Sequence, residues 1–500
     1  MRSIIHTVAL LLISGAACAA QLQVAPTLSS HMVLQRDQPI LIWGTAEPGA
    51  AVRVNFNGER AETKTTEDGT WQVELQARPA SATAAQLEVE SGKQKIALSG
   101  LLIGDVWFCA GQSDMAMKVN RKQLGKGPVN SQIRFLRMVR GPFTKPIVGA
   151  AAKALRPTPE NKQKFYKVTG WRQCSASSAA TLSAVAYWFA HTLQPEIGVP
   201  IGLIVPPVGG SAAQAWVSRA SIEADPSFRP LLSRWIDDEP ERLQKQLGPW
   251  VAAHPNASFD ETPLHRHRPT TLFETAVEPM RRHAIKGVIW YQGEQNAQNA
   301  IQANWYAKAY PAIVADFRQN WGQQKLPFYS VQLPGFGDPN WPAFREQQRK
   351  FAAIPNTGLA VTIDLGDAKN IHPKDKPPVG HRLALLALSH AYGKDIIATG
   401  PTPRQISAKG DVVSIRFESV GKGLKANADK SIPSFELAEA DGVFKPAGAR
   451  ITSVDTVELR ASGIATPRHV RYAWAPFPRP LTFANSADLP AGPFLEPVPN

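Results

Sequence analysis

The chain has 500 residues, more than one hydrophobic core usually supports, so we expect two or three domains. Its apolar content of 43% and charged content of 19% are those of an ordinary globular protein and exclude a disordered or fibrous chain. The net charge of +14 would suit a nucleic acid or an acidic glycan. However, the basic stretch from Lys118 to Lys167 contains no nucleic-acid-binding motif, so we interpret it as a solvated insertion and expect no nucleic-acid partner.

Residues 1–20 have the pattern of a signal peptide. Arg2 gives a basic start, residues 4–13 are largely apolar, and the small residues around Cys18 fit a cleavage site. The apolar stretch is too short to span a membrane. The sequence therefore predicts a periplasmic or secreted protein without membrane insertion.

Residues 21–100 are typical of a small antiparallel β-sandwich domain. Short apolar or alternating segments are separated by turn signals such as Glu47-Pro48-Gly49. The predicted strands lie at 32–35, 40–43, 51–56 and 71–75.

Residues 101–395 alternate between apolar strands and helical patterns. We predict strands at 101–110, 201–206, 285–291, 327–333 and 358–363. We predict helices around 182–195, 270–283, 303–320, 341–353 and 379–392, with insertions at 120–180 and 218–265. This alternation predicts an α/β domain with a mostly parallel sheet and helices on both faces.

Residues 396–500 return to short strands and predict a C-terminal β domain. The proline-rich end of the chain is predicted to pack over a surface and not to pair in a sheet.

Polar residues follow directly on several of the predicted parallel strands. Gly111-Gln112-Ser113-Asp114-Met115 follows the first strand, and Gly209-Gly210, Gln292 and His372 follow three others. Ligands on such sheets bind beyond the carboxyl ends of the strands, so we expect these residues to form one site.

These residue types suit nucleophilic acyl transfer. Ser113 is the candidate nucleophile and His372 the candidate base that takes its proton. The backbone N–H groups of Ser113, Gly209 and Gly210, with the side-chain amide of Gln292, are candidate donors to the oxyanion.

Neither a metal nor another cofactor is expected. The nearest candidate for a metal site, His265-x-His267, is interpreted as part of a solvated loop. After cleavage of the signal peptide only Cys109 and Cys174 remain, and we predict that they form no disulfide.

Several motifs resemble the sialate O-acetylesterase family of the SGNH (GDSL-like) hydrolases. They are Met32-Val33-Leu34-Gln35-Arg36, Gly104-Asp105-Val106-Trp107, Gly111-Gln112-Ser113, the block from Ile285 to Glu294, Pro327-Phe328-Tyr329, Arg345-Glu346-Gln347-Gln348 and Ile371-His372-Pro373. The resemblance implies a flavodoxin-like three-layer hydrolase domain flanked by N- and C-terminal β domains. It also implies a cofactor-free O-acetylesterase acting on an acetylated carbohydrate. In that pattern Ser113 is the nucleophile, His372 the base, and Gly210 (or Gly209) and Gln292 complete the oxyanion hole.

Two positions depart from the family pattern. Asp114 stands where the family usually has asparagine, and its charge opposes the charge that develops in the transition state. Asn370 stands where the family has the aspartate that orients the histidine. Asp114, Asp364, Asp367 and Asn370 are therefore the candidates to orient His372, with an unassisted Ser–His dyad as the alternative.

Glu294 and Arg345 are candidate substrate contacts, with a structural ion pair as an equally favoured interpretation. The substrate could be acetylated sialic acid, xylan or a related glycan, and the sequence does not specify an oligomeric state. The departures at 114 and 370 also leave an alternative function, that of a weakly active or inactive relative that binds glycans.

Overall fold

The computed structural model describes residues 21–124, 130–141 and 157–499. The predicted signal peptide, residues 1–20, lies outside these ranges, as does part of the predicted insertion at 120–180. In the part of the chain that is described, no helix combines the length and apolar character needed to cross a bilayer.

The N-terminal region forms two β-sheets that share one hydrophobic core. Its strands are β1 (Gln23–Val24), β2 (Val33–Gln35), β3 (Ile40–Thr45), β4 (Ala51–Phe56), β5 (Glu59–Lys64), β6 (Thr70–Leu75), β7 (Ser81–Ser91) and β8 (Gln94–Gly111). One sheet has the order β1-β3-β6, and in the other β4 joins β5 to β7, which pairs with β8. Strand β6 alternates strictly between exposed and buried residues, as its sequence predicts. All four strands predicted in this region are present.

Strand β8 continues from the N-terminal region into a central sheet. The further strands of that sheet are β9 (Ile133–Arg140), β10 (Tyr166–Gln173), β11 (Ile201–Val205), β12 (Gly287–Tyr291), β13 (Phe328–Val331) and β14 (Thr357–Ala360). Their order is β10-β9-β11-β8-β12-β13-β14. Every neighbouring pair is parallel except β10 with β9, which is antiparallel. The five strands predicted here from apolar runs are all present.

Strands β9 and β10 correct the interpretation of the basic stretch as a solvated insertion. Both belong to the central sheet, and β9 buries Ile133, Phe135 and Leu136 together with Arg134. The arginines interspersed among the apolar residues of β9 hid its strand pattern. Burial in a sheet next to β11 outweighs that polar composition.

Asp105, in the middle of β8, connects three regions of the chain. Its carboxylate accepts hydrogen bonds from Gln35 Nε2, from Arg36 Nε and Nη2, and from Tyr392 Oη, at 2.9–3.0 Å. Asp105 is completely buried, and burial of a charged group is tolerated only when it is paired in this way. The contact holds the N-terminal region and the segment after the last central helix against the sheet.

Helices pack around the central sheet. The α-helices are α1 (Ser113–Ala116), α2 (Pro159–Lys164), α3 (Ala176–Ala179), α4 (Ala184–Ile197), α5 (Arg219–Ala224), α6 (Pro230–Arg234), α7 (Glu241–Ala253), α8 (Ala300–Asn320), α9 (Trp341–Phe351) and α10 (Pro377–Leu386). The pattern predicted at 270–283 forms a π turn, Phe273–Val277, followed by a 3₁₀ turn, Glu278–Met280. Helix α4 begins where the Ser183 side chain accepts from the Ala186 N–H, and ends at Gly198 with a φ of 68°.

Up to residue 499, the C-terminal region forms a seven-stranded antiparallel sheet and a separate two-stranded one, with a core of its own. Its strands are β15 (Thr402–Lys409), β16 (Val412–Glu418), β17 (Leu424–Lys425), β18 (Ser431–Ala438), β19 (Lys445–Ile451), β20 (Thr456–Arg460), β21 (His469–Tyr472), β22 (Ala484–Asn485) and β23 (Phe494–Pro497). The proline-rich end does pair, because β23 joins β21, so the expectation that it only covers a surface is wrong in part. Strand β23 lies at the sheet edge, where proline is tolerated.

Candidate active site

Ser113 lies on a sharp turn after strand β8. The strand ends at Gly111, whose φ is 138°, and a Cβ atom added there would lie 2.0 Å from the carbonyl oxygen of Tyr291. Only glycine fits this position. Helix α1 then begins at Ser113, with Gln112 as its N-cap residue, and leaves the Ser113 side chain half-buried at the carboxyl end of the sheet.

His372 lies beside Ser113. Its Nε2 is 2.9 Å from Ser113 Oγ, although 259 positions separate the two residues. His372 belongs to the loop that precedes helix α10, and its backbone N–H donates to Asn370 Oδ1 at 3.0 Å. The distance between Oγ and Nε2 suits transfer of the serine proton to the imidazole.

Three of the side chains predicted to orient His372 are engaged elsewhere. Asp364 accepts two hydrogen bonds of 2.6 Å from Arg382. Asp367 accepts from backbone N–H groups of its own turn, and Asn370 accepts from the His372 backbone. Among the described residues, nothing hydrogen-bonds to His372 Nδ1. The orienting contact to the ring is therefore not made by these three side chains.

Gly209 and Gly210 lie next to the nucleophile. A Cβ atom added at Gly209 would be 3.7 Å from both Cα and Cβ of Ser113, and Gly210 has a left-handed φ of 64°. The N–H groups of Ser113, Gly209 and Gly210 donate to no other residue in the described ranges. Three unengaged backbone donors thus lie on the Ser113 turn and on the glycine loop next to it.

Gln292 is completely buried after strand β12 and is occupied by internal contacts. Its amide Nε2 donates to Gln112 Oε1 at 3.2 Å, to the Ser211 carbonyl at 3.1 Å and to Asn296 Oδ1 at 2.9 Å. Gln112 Nε2 in turn lies 3.5 Å from Ser113 Oγ. Gln292 therefore supports the nucleophile turn and the loop that contains Ser211 from behind, with both amide hydrogens engaged.

Comparisons of the sequence and the fold with known proteins indicate the family of this chain. Residues 258–389 match the family described as carbohydrate esterase, sialic acid-specific acetylesterase. The solved structure of a carbohydrate acetylesterase from Xanthomonas citri is 30% identical, with a TM-score of 0.79 over 95% of this chain and 99% of that one. The chain belongs to the sialate O-acetylesterase family.

Curated relatives extend the match along most of the sequence. The sialate O-acetylesterase of Mus musculus is 27% identical over 95% of this chain and 94% of its own length. The sialate O-acetylesterase of Homo sapiens is 27% identical over 94% of this chain and 92% of its own length. The similarity to the sialate O-acetylesterase family therefore includes both flanking β regions.

Asp114, one of the departures from the family pattern, lies in a buried charged cluster. Its Oδ1 accepts from Lys376 Nζ, and the side chains of both residues are at most 2% exposed. The carboxyl of Glu294 and the hydroxyl of Tyr291 lie next to Asp114 in the same cluster. Asp114 thus makes an ion pair with Lys376 and is not the partner of the His372 ring.

The cluster contains two carboxyl groups and one cation. Both Glu294 oxygens and Asp114 Oδ2 are buried, and no well-oriented donor reaches them from other described residues. Burial raises the pKa of Glu294 well above its ordinary value of 4.5, and the charge of Asp114 raises it further. The raised pKa favours the protonated form of Glu294, which can donate a hydrogen bond to Asp114. Because the pKa of Tyr291 is also raised by burial, its hydroxyl remains neutral.

Arg345 serves a structural purpose. It is completely buried in α9, and its guanidinium donates to the carbonyl oxygens of Ala475 and Pro476, the latter at 3.2 Å. Burial lowers its pKa to about 9. Among the described residues Arg345 forms no ion pair with Glu294, so that alternative is not met, and the substrate contact stays a prediction.

The pair His265 and His267 is buried, which corrects its interpretation as part of a solvated loop. Each is at most 5% exposed, and His267 Nδ1 lies 2.6 Å from Glu239 Oε2. Within the described residues, no three His, Cys, Asp or Glu side chains come together as metal ligands. Cys109 and Cys174 are both free, as predicted.

Three side chains near the site were not singled out by the sequence. Gln112 lies inside the serine motif, and Lys376 lies four residues after His372, so closeness to the motifs could have indicated both. Arg266 carries no such signal. A Cβ atom added at Gly210 would lie 3.5 Å from Arg266 Cζ, so the guanidinium packs against the glycine loop.

We expect Glu294→Gln to change the pH dependence of stability. The pKa of Glu294 is higher in the folded chain than in the unfolded chain, so the wild type loses stability as pH rises above the unfolded value. The glutamine amide mimics the protonated carboxyl without titrating. The melting temperature of the variant relative to wild type should therefore rise as the pH increases above about 4.5, the ordinary pKa of a glutamate. Glu74→Gln, at an exposed position of β6, is the control. A difference that stays constant with pH would contradict the protonated state of Glu294.

Arg345→Met should destabilise the fold by about 3 kcal/mol, because a buried charged donor to two carbonyl groups is lost. Urea denaturation measures this change, and KM for an acetate ester should stay unchanged. Lys350→Met, at an exposed position of the same helix, is the matched control. A higher KM with an unchanged urea midpoint would mean that Arg345 contacts the substrate.

Proposed function

We propose that this chain is an exported carbohydrate O-acetylesterase that uses Ser113 as nucleophile. The observation that carries the proposal is the 2.9 Å distance between Ser113 Oγ and His372 Nε2, beside three unengaged backbone N–H groups. Membership of the sialate O-acetylesterase family supports hydrolysis of O-acetyl esters on sugars.

The reaction follows from this geometry. His372 takes the proton of Ser113 as Oγ attacks the acetyl carbonyl. The backbone N–H groups of Ser113, Gly209 and Gly210 stabilise the oxyanion, and Gln292 holds these elements in place. As the bond between the acetyl carbon and the sugar oxygen breaks, His372 gives its proton to that oxygen. The sugar leaves as a free hydroxyl compound, and the acetyl group remains on Ser113. Water activated by the same histidine hydrolyses the acetyl-enzyme and releases acetate.

The parallel pairing of strands β8, β9, β11, β12, β13 and β14 supports a flavodoxin-like three-layer SGNH domain. We assign this domain to residues 101–395, between β domains at 21–100 and 396–500. The signal pattern of residues 1–20 supports export to the periplasm or the medium.

Arg266 is our candidate for the sugar subsite. The Arg266 guanidinium packs on Gly210, and the neighbouring Gly209 lies beside Ser113. The guanidinium is therefore close to the place where the acetylated sugar must bind. A guanidinium supplies several donors for sugar oxygen atoms.

Ser113→Ala should abolish acetate release from 4-nitrophenyl acetate and from acetylated glycans, since no other group replaces Oγ. Loss of at least a thousandfold in kcat is expected, on the order of other serine-hydrolase nucleophile deletions. Ser99→Ala, at an exposed serine of the same strand β8, controls for handling and folding. If Ser113→Ala retained most of the activity, Ser113 would not be the nucleophile. An inactive wild type would favour the alternative that the protein binds glycans.

Arg266→Ala should lower kcat/KM on an acetylated glycan roughly tenfold more than on 4-nitrophenyl acetate, because only the glycan offers sugar oxygens to bind. Steady-state kinetics on both substrates measure the ratio. Arg404→Ala, exposed on the C-terminal sheet, is the control. Equal losses of kcat/KM on the two substrates would contradict the assignment of Arg266 to the sugar subsite.

A further inference from the structure

The nucleophile and the histidine of this site lie on separate segments, which must be held in a fixed position relative to each other. Ser113 lies on the turn after β8, and His372 lies on the loop before α10. In the described part of the chain, no acid reaches His372 Nδ1 to fix the ring. Another contact must therefore hold this loop against the serine turn.

Lys376 is placed to make that contact. It is the N-cap residue of α10, four residues after His372, and its Nζ donates to the carboxylate of Asp114. Asp114 is the residue directly after Ser113. A single ion pair thus joins the end of the histidine loop to the turn that carries the nucleophile.

The position of Lys376 favours a close carboxylate as its partner. A cation at a helix N-terminus faces the positive end of the helix dipole. Removing an ammonium group from water costs several kcal/mol, which only a close carboxylate offsets. Nζ also lies 5.5 Å from the centroid of the Tyr291 ring, so it packs between strand β12 and the serine turn. The loop cannot move outward without separating buried opposite charges.

Glu294 provides a second carboxyl beside this pair. Glu294 is 2% exposed, and neither of its carboxyl oxygens has a hydrogen-bond partner among the described residues. Burial and the neighbouring charge of Asp114 favour the uncharged form of Glu294. Replacing Asp114 by a neutral residue removes the charge that raises the pKa of Glu294 and leaves the charge of Lys376, which lowers it. The cluster can therefore keep one ion pair after either carboxyl is removed.

We propose that Lys376 is a positioning residue of the esterase reaction, whose buried ion pair with Asp114 sets the His372 loop against the Ser113 turn, with Glu294 as the reserve partner. This inference rests on the proposed function, because it concerns the geometry of the same Ser113–His372 pair.

The test compares Asp114→Asn with the double variant Asp114→Asn/Lys376→Met. In the single variant Glu294 pairs with Lys376, and in the double variant the cluster is neutral without any ion pair. Replacing a buried ion pair by uncharged groups of similar size is often tolerated, so both should fold. With 4-nitrophenyl acetate, the double variant should show roughly a hundredfold lower kcat than the single variant, with KM and melting temperature nearly unchanged.

Two further measurements report on the reactivity of Ser113 and on the protonation of Glu294, neither of which a purely structural role of Lys376 would change. The rate at which an organophosphonate labels Ser113 should fall in parallel with kcat, because it depends on activation of the same hydroxyl. The infrared carbonyl band of a protonated carboxyl should be present in wild type and absent from both Glu294→Gln and Asp114→Asn. Should the methionine variant fail to fold, Lys376→Gln in the same background provides the same comparison.

Equal kcat values in the single and double variants would overturn the positioning role. Wild type without the carboxyl band would overturn the reserve role of Glu294. Ser113→Ala is measured in parallel: if it remains active, the proposed function itself fails. If it is inactive while the double variant turns over like Asp114→Asn, only the inference about Lys376 fails.

Discussion

The continuous backbone of strand β8 is the constraint on which the arrangement of this molecule depends. Its first half pairs with β7 and β2, and its second half pairs with β11 and β12 before it ends at Gly111. Because one strand serves the N-terminal sheets and the central sheet, no hinge separates them, and their apolar side chains form one core. Asp105 reinforces this junction through Arg36 and Tyr392. The serine turn therefore directly follows a strand that pairs with β7, β2, β11 and β12.

The site is built in two layers. The reacting groups, Ser113 and His372, lie half-buried at the surface of the sheet edge. Beneath them lies a buried polar layer in which Gln292 supports the turns by hydrogen bonds and Lys376 supports them by charge. Such a layer is costly to bury unless its groups satisfy one another, and once satisfied it restrains the loops above it more firmly than apolar contacts would. The raised pKa of Glu294 favours a protonated carboxyl, which can donate to Asp114 within this layer.

The sequence predicted the parts of the molecule that depend on local pattern. The apolar strands of the central sheet and the turn after Gly111 follow from short stretches of residues and were found where expected. Strand β9 was not predicted because its arginines obscure the apolar pattern. It forms a strand because it pairs with β11. The contacts of Arg345 were not predicted because its partners, the carbonyl groups of Ala475 and Pro476, lie about 130 residues away and carry no side-chain signal. The choice of partner for Asp114 likewise depends on distant contacts.

The anchoring of Arg345 has a consequence for how this architecture can vary. The acceptors that hold the buried guanidinium are main-chain oxygens of the C-terminal region, so almost any side chains at those two positions would serve. The C-terminal region can therefore diverge in sequence without losing this contact with the catalytic region, provided that its backbone keeps the same path. Exchange of this region between relatives is constrained by loop geometry more than by residue identity. An insertion or deletion near residue 475 would be more disruptive than substitutions there.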